Sequence, residues 1–378
     1  MFELTEEQQL LAQNVRKYAE DSLASTVLER DQAGKFDRSL YDDLGELGLT
    51  GLYYPEEYGG VDADFLSYIL AVEEISRADD GIAITLMTSV SLCSTPIFLH
   101  GTEEQKQKYL APIARGEKLG AFGLTEPNAG SDAAGQKSVA VRDGDHYILN
   151  GSKIFITNAG EAEIYVVFAM TNPEAGLRGV SAFILEKGMP GLEFGRKENK
   201  LGIRTSLTQE LVFSNVKVPA ENLLGEEGKG FKIAMQALDG GRVGIGAQAV
   251  GIAQGAYEAA LKYAKERIQF GAPIAKLQAV SFKLADMATK IDAARLMVYR
   301  AAALYDAGKP ITKEAAMAKY FASDIAMEVT SEAIQVFGGY GYSEDYPVAR
   351  YFRNAKITQI YEGTNEIQRV VVANSILR

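Results

Sequence analysis

The stretch VAVRDGDHYILNGSKIFIT (139–157) sets the fold class. Its apolar residues come in runs of three, Val139-Ala140-Val141, Tyr147-Ile148-Leu149 and Ile154-Phe155-Ile156, too short for helices. Between them stand Asp143-Gly144 and Asn150-Gly151, pairs that favour tight turns because glycine takes a positive φ without a Cβ penalty. The same texture extends from about 120 to 224, where Ile164 to Ala169, Val180 to Leu185 and Glu210 to Phe213 read as strands and Pro190-Gly191 as another turn. Short strands with frequent turns predict a small barrel or sandwich.

Outward from this segment the periodicity is helical on both sides. Thr5 with Gln8 forms a capping-box signature, followed by Leu10, Leu11, Val15 and Tyr18 at helical spacing. Further helices are predicted over 39–47, stopped by Gly48, over 65–77, over 81–99, and from the Thr102/Gln105 cap to about 114. Beyond the strands, 239–267, 277–307 and 313–337 are long and Ala-rich, as in an antiparallel bundle. The fold class is therefore α+β, mostly α. It comprises an N-terminal helical domain over 1–119, a middle β-barrel or sandwich domain over 120–224, and a C-terminal four-helix bundle domain over 225–378.

Composition narrows the chemistry. Among 378 residues, 39 Lys and Arg stand against 50 Asp and Glu, a net charge of −11 that suits neither nucleic acid nor an anionic membrane. One cysteine, Cys93, and two histidines, His100 and His146, exclude a disulfide framework and a cysteine-built metal centre, and leave little for Ser-His-Asp catalysis. No metal is expected. Proton transfer must rest on carboxylates, Lys, Tyr or a bound cofactor. Three glutamates within the first nine residues are the opposite of a basic export signal. The apolar stretch 81–99 is broken by hydroxyl residues and Pro96, and reads as a buried helix, with no membrane insertion. A cytoplasmic setting is the expectation. Cys93 reads as a small buried side chain and His100 as a helix-end residue.

Three segments invite a functional reading. FGLTEPNAGSD (122–132) is either an ordinary connection or a loop whose free N–H groups hold phosphate or the rim of a heterocycle. In RIQFG (267–271), with Leu277-Gln278 beyond, Arg267 either complements a helix dipole or clasps a pyrophosphate with the neighbouring ring and amide. In QVFGGYGY (335–342) the glycines end a long helix, and in IYEGTNEIQ (360–368) Glu362 is either a solvated residue ahead of a helix capped at Thr364 or a carboxylate in an apolar niche, raised in pKa and able to act as a base.

At these residues the chain resembles the acyl-CoA dehydrogenase family, on its bacterial short-chain, butyryl-CoA side. The resemblance runs from about Leu4 to Arg378 and is carried by FGLTEPNAGSD, KIFITN (153–158), LDGGRVGIGAQAVG (238–251), ERIQFGAPIAKLQ (266–278), QVFGGYGY and IYEGTNEIQ. It implies a homotetramer, a dimer of dimers, with FAD bound non-covalently. By the family pattern the loop containing Phe122, Leu124, Thr125, Gly130 and Ser131 lines the flavin, and Ser131 also nears the thioester. Phe155, Ile156 and Thr157 pack the flavin, although many relatives carry Trp where this chain has Phe155. Arg267, Phe270 and Gln278 match residues that reach the FAD of a neighbouring subunit, and Gln335, Gly338 and Gly339 match its adenosine-side clamp. Thr364 and Glu366 match further FAD contacts, while Asp239, Arg242, Tyr361 and Gly363 match the substrate side.

Glu362 matches the family's catalytic base. It would take the α-proton of the thioester while the β-hydride passes to the flavin. The thioester oxygen would be held by the N–H of the base and a ribityl hydroxyl. Relatives that carry the base on the helix containing 239–251 place it where this chain has Gly241. The implied activity is short-chain acyl-CoA dehydrogenation, butyryl-CoA to crotonyl-CoA or the reverse, with electrons exchanged with an electron-transfer flavoprotein. An acyl-CoA oxidase-like enzyme and a non-catalytic protein retaining the fold are the alternatives. The interval 78–105, by resemblance part of the acyl pocket, contains no Lys or Arg, which speaks against a dicarboxylic substrate.

Overall fold

A computed structural model describes residues 3–377; Met1, Phe2 and Arg378, at the ends of the outer predicted domains, lie outside the described residues. Helix α1 (Glu6–Tyr18) opens on the expected capping box, with the Gln8 N–H donating to Thr5 Oγ1 at 3.2 Å and the Thr5 N–H to Gln8 Oε1 at 3.0 Å. After α2 (Val27–Ala33) and α3 (Arg38–Glu46), Gly48 turns the chain with φ +73°. Helix α4 (Phe65–Ala78) and α5 (Asp80–Met87) are buried along nearly their whole length. The chain continues from α5 through a π-helical turn, Thr88–Ser94, into α6 (Thr95–His100). Asp80–His100 has the length and hydropathy of a membrane span, but 89% of its most apolar window is buried inside the protein. It is a core helix, as its interrupting hydroxyl residues imply. Thr102 and Gln105 form the second capping box, on α7 (Glu103–Gln105), which leads through a π turn to α8 (Ala111–Ala114).

Eight strands follow: β1 (Gly120–Gly123), β2 (Val139–Asp143), β3 (His146–Thr157), β4 (Ile164–Met170), β5 (Val180–Glu186), β6 (Leu192–Lys197), β7 (Thr208–Pro219) and β8 (Leu223–Leu224). They form one sheet in the order β6-β7-β3-β2-β4-β5-β8, with β1 added parallel to β4. Its two halves are joined at a single pair, Val139 opposite Met170, and fold onto each other. Tyr147 on β3 meets Phe183 on β5 with ring centroids 4.9 Å apart, and Gly123 sits among Val167, Leu211 and Lys153 from the two halves. The sandwich expectation holds. One turn expectation does not: Asn150-Gly151 lies inside β3. There the register shifts by a bulge, Gly151 takes φ +135°, and Asn150 bonds Asn215 across the strands. Only one of the two residues is left-handed, so the chain bulges and does not reverse. Asp143-Gly144 does make the hairpin, with Gly144 at φ +63°.

The C-terminal bundle consists of α9 (Gly230–Glu266), α10 (Gln278–Asp306), α11 (Thr312–Phe337), α12 (Pro347–Thr358) and α13 (Asn365–Ile376). Helix α9 packs along α11 and α10 and also against α4, so it joins the two helical regions. Between α9 and α10 a small hairpin, β9 (Ile268–Gln269) and β10 (Ala272–Pro273), turns through Phe270 at φ +52° and Gly271 at φ +78°. The three regions are tied together where α4 meets α5. Asp79 pairs with Arg30 at 2.7 Å and accepts from Thr205 at 3.0 Å, while Asp80 pairs with Arg350 at 2.9 Å and accepts from Asn354 at 2.9 Å. Buried ion pairs fix geometry because breaking one leaves a stranded charge.

Candidate active site

Two cavities lie where the β sandwich meets the helical regions, one of about 300 Å³ and one of about 630 Å³. They share a wall made by Thr125, Gly130, Ser131, Phe155, Thr157, Tyr361, Glu362 and Gly363. Every residue of that wall was singled out from sequence, and it comes from three separate segments.

The 122–132 segment starts as strand, since Phe122 and Gly123 belong to β1, and becomes a loop at Leu124. A buried ammonium holds that loop. Lys153 on β3, fully buried, donates to Glu126 Oε1 at 2.7 Å, the Leu124 carbonyl at 3.1 Å and Gln136 Oε1 at 3.1 Å. Burial pulls the Lys153 ammonium down to about 8, against the pull of the Glu126 carboxylate. Glu126 also accepts the N–H groups of Lys137 at 2.5 Å and Ser138 at 2.9 Å. Both lie inside the quoted motifs, but their structural part is not visible from type or spacing. Phe155 stands at φ +57° with its ring 61% exposed, an apolar face turned into the larger cavity's wall.

The turn after α12 presents Glu362 at φ +53°, followed by Gly363 at φ +93°. Both carboxylate oxygens of Glu362 are buried and have no hydrogen-bond partner among the described residues. Burial pushes its carboxyl up to about 7, against the positive charges of Arg242 and Lys319. The solvated reading of Glu362 is thereby set aside. Gly241 on α9 makes room for it, since a Cβ there would collide with the Glu362 carboxylate and come within 2.8 Å of Leu92. Tyr361 bonds Gln248, and Thr364 caps α13 by accepting the Ile367 N–H at 3.4 Å while lining the larger cavity.

Phe122, Leu124, Ile156 and Arg242 line the smaller cavity. Arg242 is buried, with an unpartnered Nε among the described residues, and its Nη1 donates to Asp239 at 2.7 Å. Asp239 lines neither cavity and accepts from Thr312 at 2.6 Å. Arg267, Phe270, Gln278, Gln335, Gly338 and Gly339 lie exposed at the bundle surface, and Glu366 is exposed in the first turn of α13. None of the seven lines either cavity. Ile84, Thr88 and Leu92 also line the smaller cavity and belong to the interval 78–105, Thr88 and Leu92 lying in its π-helical turn. The larger cavity also takes in Lys200, Ile203, Arg353 and Lys356, which no motif signalled.

Three family models match the chain end to end. The acyl-CoA dehydrogenase N-terminal domain matches residues 5–117, the middle domain 121–216 and the C-terminal domain 228–377. The chain belongs to the acyl-CoA dehydrogenase family. It is 59% identical, over 100% of both chains, to the short-chain specific acyl-CoA dehydrogenase of Megasphaera elsdenii. Among solved structures it matches butyryl-CoA dehydrogenase from Megasphaera elsdenii with a TM-score of 0.99 at 59% identity, covering 100% of both chains. A chain in a structure concerning the electron transferring flavoprotein of Acidaminococcus fermentans matches with a TM-score of 0.99, 63% identity and the same full coverage. The wall shared by the two cavities offers an exposed aromatic face, four hydroxyls and one unpartnered carboxylate.

Proposed function

We propose that this acyl-CoA dehydrogenase oxidises short, unbranched acyl-CoA thioesters, with butyryl-CoA as the preferred substrate and crotonyl-CoA as the product. The observation that carries the reading is the Glu362 carboxylate: buried, unpartnered, and set in the wall between the two cavities. Thr125, Ser131, Phe155, Thr157 and Thr364 would hold the flavin of a non-covalently bound FAD. Bound there, FAD supplies the acceptor for the β-hydrogen and its electron pair. Glu362 takes the α-proton. Its apolar surroundings make it a stronger base than a solvated carboxylate. The Glu362 N–H, which has no acceptor among the described residues, is the donor for the thioester oxygen, stabilising charge as it develops. Arg242 and Asp239 serve the CoA side.

Electron-transfer flavoprotein is the proposed redox partner, consistent with the relatives' character. A homotetramer is supported by Phe270, whose ring is 93% exposed at the tip of a hairpin beside Arg267. So large an apolar group on a rigid turn suits burial against another copy. A cytoplasmic setting agrees with a lone, buried thiol.

Acyl-chain choice tests the reading. Among the residues lining the smaller cavity the only cation is Arg242, already paired with Asp239. A second carboxylate on the substrate would be buried without a partner, at a cost of several kcal/mol. Anaerobic flavin bleaching by butyryl-, hexanoyl-, octanoyl-, isovaleryl- and glutaryl-CoA should rank butyryl-CoA first in kcat/KM, with glutaryl-CoA essentially refused. An optimum at octanoyl-, isovaleryl- or glutaryl-CoA sinks the short-chain assignment.

A further inference from the structure

Beneath the Glu362 turn lies a buried polar cluster with no part in the proton transfer as described. Lys319 on α11 is fully buried, and its Nζ donates to the Gly363 carbonyl and to Asn365 Oδ1, each at 2.9 Å. Gln368, also fully buried, donates from Nε2 to the Glu362 carbonyl at 3.1 Å and the Gly363 carbonyl at 2.9 Å. Ser323 Oγ lies 3.1 Å from Asn365 Oδ1.

Both acceptors of Lys319 therefore have a second donor within reach, Gln368 for one and Ser323 for the other. Hydrogen-bond satisfaction alone does not call for a lysine. A buried ammonium is expensive to desolvate, and Lys319 has no carboxylate at ion-pair distance among the described residues to offset that cost. A costly cation that the fold can do without points to a use, and its position says which. It grips the peptide next to Glu362, in a turn with two left-handed residues in succession. For a non-glycine residue that conformation persists only where the surroundings over-determine it.

We infer that Lys319 is a positioning residue for the base: its grip on the Gly363 carbonyl holds the Glu362 carboxylate and N–H in the cavity wall, and its positive charge supports the ionised carboxylate. The inference rests on the reading of Glu362 as the base. The titratable groups that face Glu362 are Arg242 from α9, Lys319 from α11, Tyr68 from α4 and the adjacent Tyr361. Those that face Lys319 are Glu362, Arg242, Asp324 and Glu366, and burial pulls its ammonium down to about 7, so its charge acts on the carboxylate below that pH.

Lys319→Met in the FAD-loaded enzyme is the test. Its flavin-to-protein ratio and Kd for crotonyl-CoA should stay within about threefold of the wild type's. Flavin bleaching at saturating butyryl-CoA should fall at least about 30-fold, as for a displaced reacting group. The acid limb of its pH profile should move upward by about one pH unit, because a charge favouring the carboxylate is gone. Lys319→Gln, also uncharged, is measured alongside with the same expected direction and decides the matter if the Met protein does not fold. A lowered Tm together with a rate per bound flavin and an acid limb like the wild type's makes Lys319 merely structural and overturns the inference. Wild-type enzyme that butyryl-CoA does not bleach overturns the reading of Glu362 itself; a wild type that bleaches beside Lys319 variants that do so equally fast overturns the role of Lys319 alone.

Discussion

Glu362 and Phe270 share an unusual backbone state, φ +53° and φ +52°, and differ in everything around it. The Glu362 turn is gripped from below by Gln368 and Lys319, walled by α9, and opens onto two cavities built from one chain. Phe270 is held by its two-residue hairpin alone and projects a bare ring into solvent. A left-handed non-glycine residue costs about 1–3 kcal/mol, which persists where something else uses the geometry. At Glu362 the user lies within the chain. At Phe270 the proposed user is another copy of the chain, and the same is proposed for the nearby Arg267, which stacks at 5.6 Å over the Tyr340 ring. The inner wall is built from one chain, and the outer end of the bundle is proposed to be completed by a second copy.

That contrast can be broken most directly at the base. Glu362→Gln keeps the shape of the wall but removes the proton acceptor, so bleaching by butyryl-CoA should fall by at least about 100-fold while flavin content and sedimentation mass stay unchanged. A variant that retains most of its rate would show that the inner wall lacks the reacting group. Gly241→Ala is next in size. The added Cβ pushes on the carboxylate without touching its chemistry, and a rate loss of about 10- to 100-fold at normal flavin content is expected. An unaffected rate would mean that the carboxylate reacts from elsewhere.

Ionisation sharpens the same point. The base must be deprotonated, and burial sets its carboxyl at about 7, so kcat/KM should fall roughly tenfold per unit below that pH. An acid limb in the ordinary carboxylate range near 4.5 would place the free enzyme's Glu362 in water. The outer end should respond differently. Arg267→Ala and Phe270→Ala should lower the flavin-to-protein ratio and the sedimentation mass together on dilution, with the rate per bound flavin within about threefold of wild type, since neither residue meets the reacting atoms. Retention of both flavin and mass would make this surface an ordinary one.

Much of the fold is legible residue by residue. The capping boxes at Thr5 and Thr102, the stop at Gly48 and the long helices of the bundle follow from local side-chain-to-backbone bonding and apolar spacing. Asn150-Gly151 fails as a turn because the pairing of β3 with β7 on both sides of it outweighs the local preference. In the site the residue types were readable and their company was not. Lys153, Glu126, Lys319 and Gln368 carry no signal of type or spacing, because each matters through a partner distant in sequence or a backbone carbonyl.

The sequence by itself determined the order of helical, strand and helical regions, the scarcity of cysteine and histidine, and the family to which the motifs point. These depend on composition, periodicity and short-range bonding, which any segment carries with it. Only the tertiary structure decided that Glu362 is desolvated and unpartnered, that a missing side chain at Gly241 makes room for it, and that eight of the candidate residues meet at one wall while seven others face outward. Desolvation, steric room and exposure are properties of what surrounds a residue, and the surroundings of Glu362 come from α9 and α11 and from strands more than two hundred residues away.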